Sequence, residues 1–167
     1  HDTVRGVTKH ISSDLTNAEA TEATGLKSFD SDGFTLGTWD SVNVASSGTY
    51  VSWNWKESAT AGFDIIQFTG NATARTISHS LSAVPHVILM KNITNGSAQW
   101  VVYHVSTGNT QALYLNTTTA PVDVAGFFND TTPTSSVFTV GTDTAVNGNT
   151  NSQINYAWSE KQGFSKF

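Results

Sequence analysis

The chain has 167 residues, a formal net charge of −5, 38% hydrophobic residues and only 13% charged ones, a length and balance that suit one or two compact β units. Its eight Lys and Arg are scattered and form no basic stripe to displace counterions from phosphate, which excludes nucleic acid as a partner. The absence of cysteine removes a disulfide framework and a thiolate metal site, and no apolar run reaches transmembrane length, so no membrane insertion is expected.

Thr, Ser and Asn make up about a third of the residues, beside nine Phe, five Trp and four Tyr. Branched and aromatic side chains pack on strand faces at little entropic cost, so this composition favours pleated sheet over helix. Strands are predicted over 6–11, 33–36, 49–56, 63–69, 73–78, 86–91, 99–104, 112–116, 137–140 and 153–160, divided by Gly, Asn, Pro and other polar turns. That spacing is expected of an antiparallel, jelly-roll-like β-sandwich. Asn17 to Gly25 is read as a loop with at most a short helix.

In the segment Thr49 to Lys56, alternation sets Val51, Trp53 and Trp55 on one face as core candidates. The run Val87-Ile-Leu-Met90 is apolar without alternation, as in a central strand covered on both sides. The second half repeats the first. Phe34 to Glu57 is echoed by Phe138 to Glu160, with Phe34 and Phe138 104 residues apart. Each copy has an apolar alternation, a Gly-Thr turn, Val-Asn, a polar loop and an aromatic strand, so Ile154, Tyr156 and Trp158 take the places of Val51, Trp53 and Trp55. Gly62-Phe63 recurs as Gly163-Phe164. A period near a hundred residues suits a tandem β-domain better than a solenoid coil. Residues 1–60 therefore read as the back part of one repeat, 61–161 as a whole repeat and 162–167 as the opening of another, in a piece of a longer chain. Trimming Trp55 or Trp158 to Ala is expected to cost about 3–5 kcal/mol.

Candidate chemistry is sparse. Asp30-Ser-Asp32-Gly33 starts like a calcium loop, where alternate carboxylates face one ion, but no bidentate Glu follows at the required spacing, so a plain turn is preferred. The five histidines lack zinc-binding spacing. His79 is expected to fix a strand and turn through its ring nitrogens. No nucleophile motif stands out, and no acid pair suited to glycoside hydrolysis lies within an aromatic strand, so the chain is not read as an enzyme and no cofactor is expected. Sequons at Asn71, Asn92, Asn95, Asn116 and Asn129 follow from the Asn and Thr richness. Trp39-Asp40 is the best candidate for a sugar platform, although Trp39 covering a sheet end is preferred.

Ser28-Phe-Asp-Ser-Asp-Gly-Phe-Thr-Leu-Gly37, Gly62-Phe-Asp-Ile-Ile-Gln-Phe-Thr-Gly-Asn71, Ile77-Ser-His-Ser-Leu81, Trp100-Val-Val-Tyr-His104, Pro133-Thr-Ser-Ser-Val-Phe-Thr-Val-Gly141 and Glu160-Lys-Gln-Gly-Phe-Ser-Lys-Phe167 run through nearly the whole chain. Together they resemble a repeated β-domain of uncharacterised function in large structural proteins of marine bacteriophages, often beside concanavalin-like lectin domains. The sequence departs from that pattern at Gln153-Ile-Asn and in the loop Trp39 to Ser47. The resemblance implies a virion protein of tail, fibre or particle surface, assembling with copies of itself and other virion proteins as a homo-oligomer, with host attachment as a further role. It transfers no catalytic residue. The other reading is a carbohydrate-binding module of a larger adhesin, with host glycans as ligand. Subunit contacts are expected to bury the strand edges near Gly62 to Thr69 or Gln153 to Glu160.

Overall fold

The computed structural model describes residues 1–46 and 48–167; Ser47, at the end of the loop set apart above, lies outside the described residues. The chain divides into two compact units, one of His1–Ser12 and Glu19–Asn54, the other of Ser13–Ala18 and Trp55–Phe167. The larger unit carries eight strands and two one-turn helices in the order β5 (Phe63–Thr69), β6 (Arg75–Ser78), β7 (Val87–Asn92), β8 (Val101–His104), β9 (Gln111–Tyr114), β10 (Val122–Asp123), α2 (Ala125–Phe128), β11 (Val137–Val140), α3 (Thr144–Asn147) and β12 (Ser152–Trp158). The smaller unit holds β1 (Lys9–His10), β2 (Ala20–Thr21), β3 (Leu26–Phe29), β4 (Phe34–Leu36) and α1 (Asp40–Asn43).

In the larger unit, six strands form one antiparallel sheet in the order β10-β9-β8-β7-β12-β5, and β6 pairs with β11 apart from it. The apolar run at 87–90 is central, as expected, with β8 on one side and β12 on the other. Ile66, Phe68, Ile88, Met90, Val101, Tyr103, Ala112 and Ala157 line one face of the sheet. Ile77, Phe138 and Val140 of the β6–β11 pair and Phe127 and Phe128 of α2 close over that face. The fold is all-β, antiparallel and sandwich-like. On the other face, Trp100 (3% exposed) stacks on Tyr156 with centroids 6.4 Å apart, and Phe63 lies 4.9 Å from Trp158.

The smaller unit is built differently. Leu26 is its one fully buried apolar side chain among the described residues. An ion cluster lies in the same unit: Arg5, its side chain 1% exposed, meets Asp2 at 2.6 Å and Glu19 at 3.2 Å, and Lys9 reaches Glu19 at 3.3 Å. Charges drawn this far from water need such pairing. β3 and β4 form a hairpin closed by the Asp30–Gly33 turn, with an irregularity between Leu26 and Ser28.

Three sequence expectations need correction. Residues 17–25 contain no helix; β2 pairs there with β1, placing Lys9 opposite Thr21 and His10 opposite Ala20. Residues 49–56 form no strand, and Val51, Trp53 and Trp55 are 76%, 75% and 53% exposed rather than core. Trimming Trp55 therefore removes far less burial than a core site would. In the second copy, Ile154 is buried, Tyr156 and Trp158 are half-buried, and the opposite side Gln153, Asn155 and Ala157 is buried as well. The physical reason is partnership: β12 is hydrogen-bonded along both edges, to β5 and β7, whereas 49–56 has no flanking strand among the described residues. A period-two pattern marks a segment able to be a strand; neighbours decide whether it becomes one. Loss of a side chain should reflect this, with Ile154→Ala costing about 2–5 kcal/mol and the matching Val51→Ala staying within about 0.5 kcal/mol. Urea titration of both variants checks the contrast; equal losses would refute it.

Candidate functional site

Trp39 caps the N-terminal end of α1 and is half-buried, with its ring 4.7 Å from that of His10 and its backbone N–H donating to the Thr24 carbonyl. Gly25 sits beneath it, where a Cβ would stand 3.1 Å from the indole. Asp40 is exposed, and its carbonyl accepts from the Tyr50 hydroxyl at 2.6 Å. Trp39 thus covers the end of the β1–β2 hairpin and offers only part of its ring to solvent. Asp30 and Asp32 lie in the β3–β4 turn, where the Asp30 carboxylate accepts from the Thr35 hydroxyl at 2.9 Å and Asp32 is exposed. Among the described residues, no three His, Cys, Asp or Glu side chains stand close enough to share a metal ion. His79 pins strand to turn: Nε2 lies 3.1 Å from the Thr134 carbonyl and Nδ1 accepts from the Leu81 N–H at 3.4 Å.

The two strand edges named for assembly have different positions. β12 is central, so the stretch 153–160 is not an open edge; that expectation is corrected. β5 is terminal in the sheet. Ser159 N–H donates to the Gly62 carbonyl and Gly70 N–H to the Asn151 carbonyl, so even-numbered residues of β5 face β12 and odd-numbered ones face outward. The outward groups are partly closed. Phe63 exchanges both backbone bonds with Ser58, the Ile65 N–H donates to the Asp64 carboxylate at 3.1 Å, and the Arg75 guanidinium donates to the Thr69 carbonyl. What stays open is a short window, the Gln67 and Thr69 N–H groups with the Ile65 and Gln67 carbonyls. Edge strands are commonly blunted in this way.

Exposed aromatics form the other conspicuous surface. In the smaller unit Tyr50 is tethered by its hydroxyl, which accepts from the Val44 N–H at 2.9 Å, while Trp53 stands clear in solvent. In the larger unit, half-exposed Trp55 packs edge-on against Trp158 at 5.8 Å and lies 6.3 Å from Phe63. Sequence reasoning assigned Trp53 and Trp55 to a core, and period-two alternation carried no signal of their exposure.

A buried cation is the most unusual group, and sequence reasoning did not single it out. Lys91 on β7 is 0% exposed and has no carboxylate partner among the described residues. Its Nζ donates to the carbonyls of Thr16 (2.9 Å), Asn92 (2.9 Å) and Ala98 (3.0 Å), using all three donors of an ammonium. Burial lowers its pKa from 10.5 to about 8, against the pull of the three carbonyls toward the charged form. Lys91 therefore fastens the segment 13–18 and the loop after β7 to the sheet.

These features define an all-β module whose distinctive groups are structural anchors and exposed aromatics. The chain belongs to the family described as Domain of unknown function (DUF7483), whose profile matches residues 1–167. No curated protein and no solved structure matches it. No helix among the described residues is long and apolar enough to cross a membrane.

Lys91→Met should cost about 1–3 kcal/mol at neutral pH, because the buried carbonyls of Asn92 and Ala98 and the half-buried one of Thr16 lose their donor. Between pH 8 and 10.5 the unfolded chain keeps a proton that the fold releases, so Lys91 adds stability as pH rises through that window and its contribution is flat below it. The gap between parent and variant should widen from pH 8 to pH 9.5 in urea titrations; a constant gap would count against the assignment.

Proposed function

We propose that this chain is a structural module of a bacteriophage particle, carried on tail, fibre or particle surface, assembling with copies of itself and other virion proteins and contributing to host attachment. The reading draws on the sequence resemblance and on one observation about the molecule, the duplication of a β substructure within a single chain. Repeated β units stack into extended arrays, and a polar exterior with a net charge of −5 keeps such a surface soluble. The charge content of 13% and the abundance of Thr, Ser and Asn suit such an exterior. Assembly through the β5 edge would use the open groups of Ile65 and Gln67. Gln67→Pro removes the central one of the two open N–H groups of that edge and sets a ring in the path of a neighbouring strand without touching a bond to β12, so the fold should tolerate it while edge-to-edge association is weakened. Sedimentation of parent and variant reads the association. Immunogold labelling of intact particles with an antibody to this chain tests the location, and particles without label would reject the virion role.

A carbohydrate-binding module is the second reading, favoured by the partly exposed Trp39 ring beside the exposed Asp40 carboxylate. Aromatic faces with an adjacent acid suit sugar rings and their hydroxyls. Trp39→Ala should then abolish glycan-array binding while far-UV circular dichroism is kept; binding that survives the substitution would dismiss this site.

A further inference from the structure

The duplication can be followed atom by atom. The hairpin β1–β2 reappears as β9–β10 in the same register 102 residues on, since Lys9 faces Thr21 and His10 faces Ala20 as Gln111 faces Asp123 and Ala112 faces Val122. The turn before it also recurs, with Gly6 N–H donating to the Asp2 carbonyl at 3.1 Å and Gly108 N–H to the His104 carbonyl at 3.1 Å, both glycines at positive φ. After it, Gly37 and Gly141 each make a close backbone approach. A Cβ on Gly37 would lie 2.2 Å from the Thr24 carbonyl oxygen, and one on Gly141 2.2 Å from that of Gly126. The helices α1 and α3 follow, and Asn43 donates to the Gly37 carbonyl at 2.7 Å as Asn147 donates to that of Gly141 at 2.8 Å.

The environments then part. Asn147 is 0% exposed because the turn between β5 and β6 wraps it: it also donates to the Thr73 carbonyl at 2.8 Å and accepts from the Asn71 N–H at 3.1 Å. Asn43 is exposed, and neither of those bonds has a counterpart among the described residues. Phe138 is 1% exposed where Phe34 is 36%, and Ile154 is 0% exposed where Val51 is 76%. Asn147, Phe138 and Ile154, covered in the larger unit, thus have exposed counterparts in the smaller one.

We propose that the smaller unit is the receiving half of a β module. It takes up a polypeptide segment with the strand and turn chemistry of residues 60–102, and Tyr50–Asn54 becomes the central strand between that segment's counterparts of β5 and β7. The occupant is specified by what the larger unit already holds in that place: two antiparallel apolar strands to pair both edges of 50–54, and an Asn-x-Thr turn to complete the bonding of Asn43. The inference goes beyond the virion reading and does not depend on it.

The test is a full-length chain with a copy of residues 60–102 fused directly ahead of His1, which restores the spacing between matching turns. Hydrogen exchange followed by mass spectrometry should find amides 50–54 exchanging within seconds in the parent chain. In the fusion they should be slowed at least about a hundredfold, toward the behaviour of 153–157. Acrylamide quenching of Trp53 should fall in parallel. Asn43→Ala should leave the melting temperature of the parent unchanged and lower that of the fusion. A second fusion joined by a flexible glycine–serine linker guards against a strained junction. Fast exchange at 50–54 in both fusions would overturn the proposal. Protection that appears in the parent chain on raising its concentration would also overturn it, since a second copy of the chain would then be the occupant.

Discussion

Everything in the larger unit turns on β12 being paired along both of its edges. That double ladder places Gln153, Asn155 and Ala157 against the core and Ile154 and Tyr156 against the far side, so one strand supplies material to both layers. A strand with both edges bonded leaves its backbone groups paired, but the polar side chains it buries are satisfied only in part: the Gln153 amide and the Asn155 Oδ1 have no hydrogen-bond partner among the described residues. The Asn155 amide donates to the Ile66 carbonyl at 3.1 Å, tying the side chain into the same ladder. The same aromatic pattern at 50–55, with no ladder on either edge among the described residues, stays exposed.

How legible this was depends on whether the deciding partner was local. β5 could be placed to the residue because Gly62 and Gly70 bracket seven residues rich in Phe, Ile and Thr, and the central place of β7 followed from its apolar run. His79 was legible too, since a ring between a strand end and a Pro-containing turn has few other uses. The helices α1 and α3 were not. They are single turns in polar stretches, with Asp143 capping α3 by accepting from the Ala145 N–H at 2.7 Å, and a four-residue helix has too short a period to register. The short β2, β3 and β10 escaped for the same reason.

The site residues follow that rule more severely. Trp39 and Asp40 attracted notice as a residue pair, but how far the indole is covered depends on His10 and Gly25, far away in sequence. Nothing in Met90-Lys91-Asn92 announces a buried ammonium; the carbonyls that receive it come from Thr16 and Ala98 as well as from its neighbour. The misassigned Trp53 is the clearest case, because period-two alternation describes which way side chains point and is silent on whether anything lies there.

The backbone that precedes each short helix is the same in both copies, down to the N–H of residue 39 or 143 donating to the carbonyl of Thr24 or Gly126 at 3.0 Å. Yet one copy places an indole there and the other a carboxylate. A scaffold that accepts such unlike side chains at one address, while forbidding any side chain at the neighbouring Gly37 and Gly141, separates what it displays from how it stands. The same backbone is thereby finished with an indole laid over His10 in one copy and a carboxylate capping a helix in the other, without redrawing the architecture beneath.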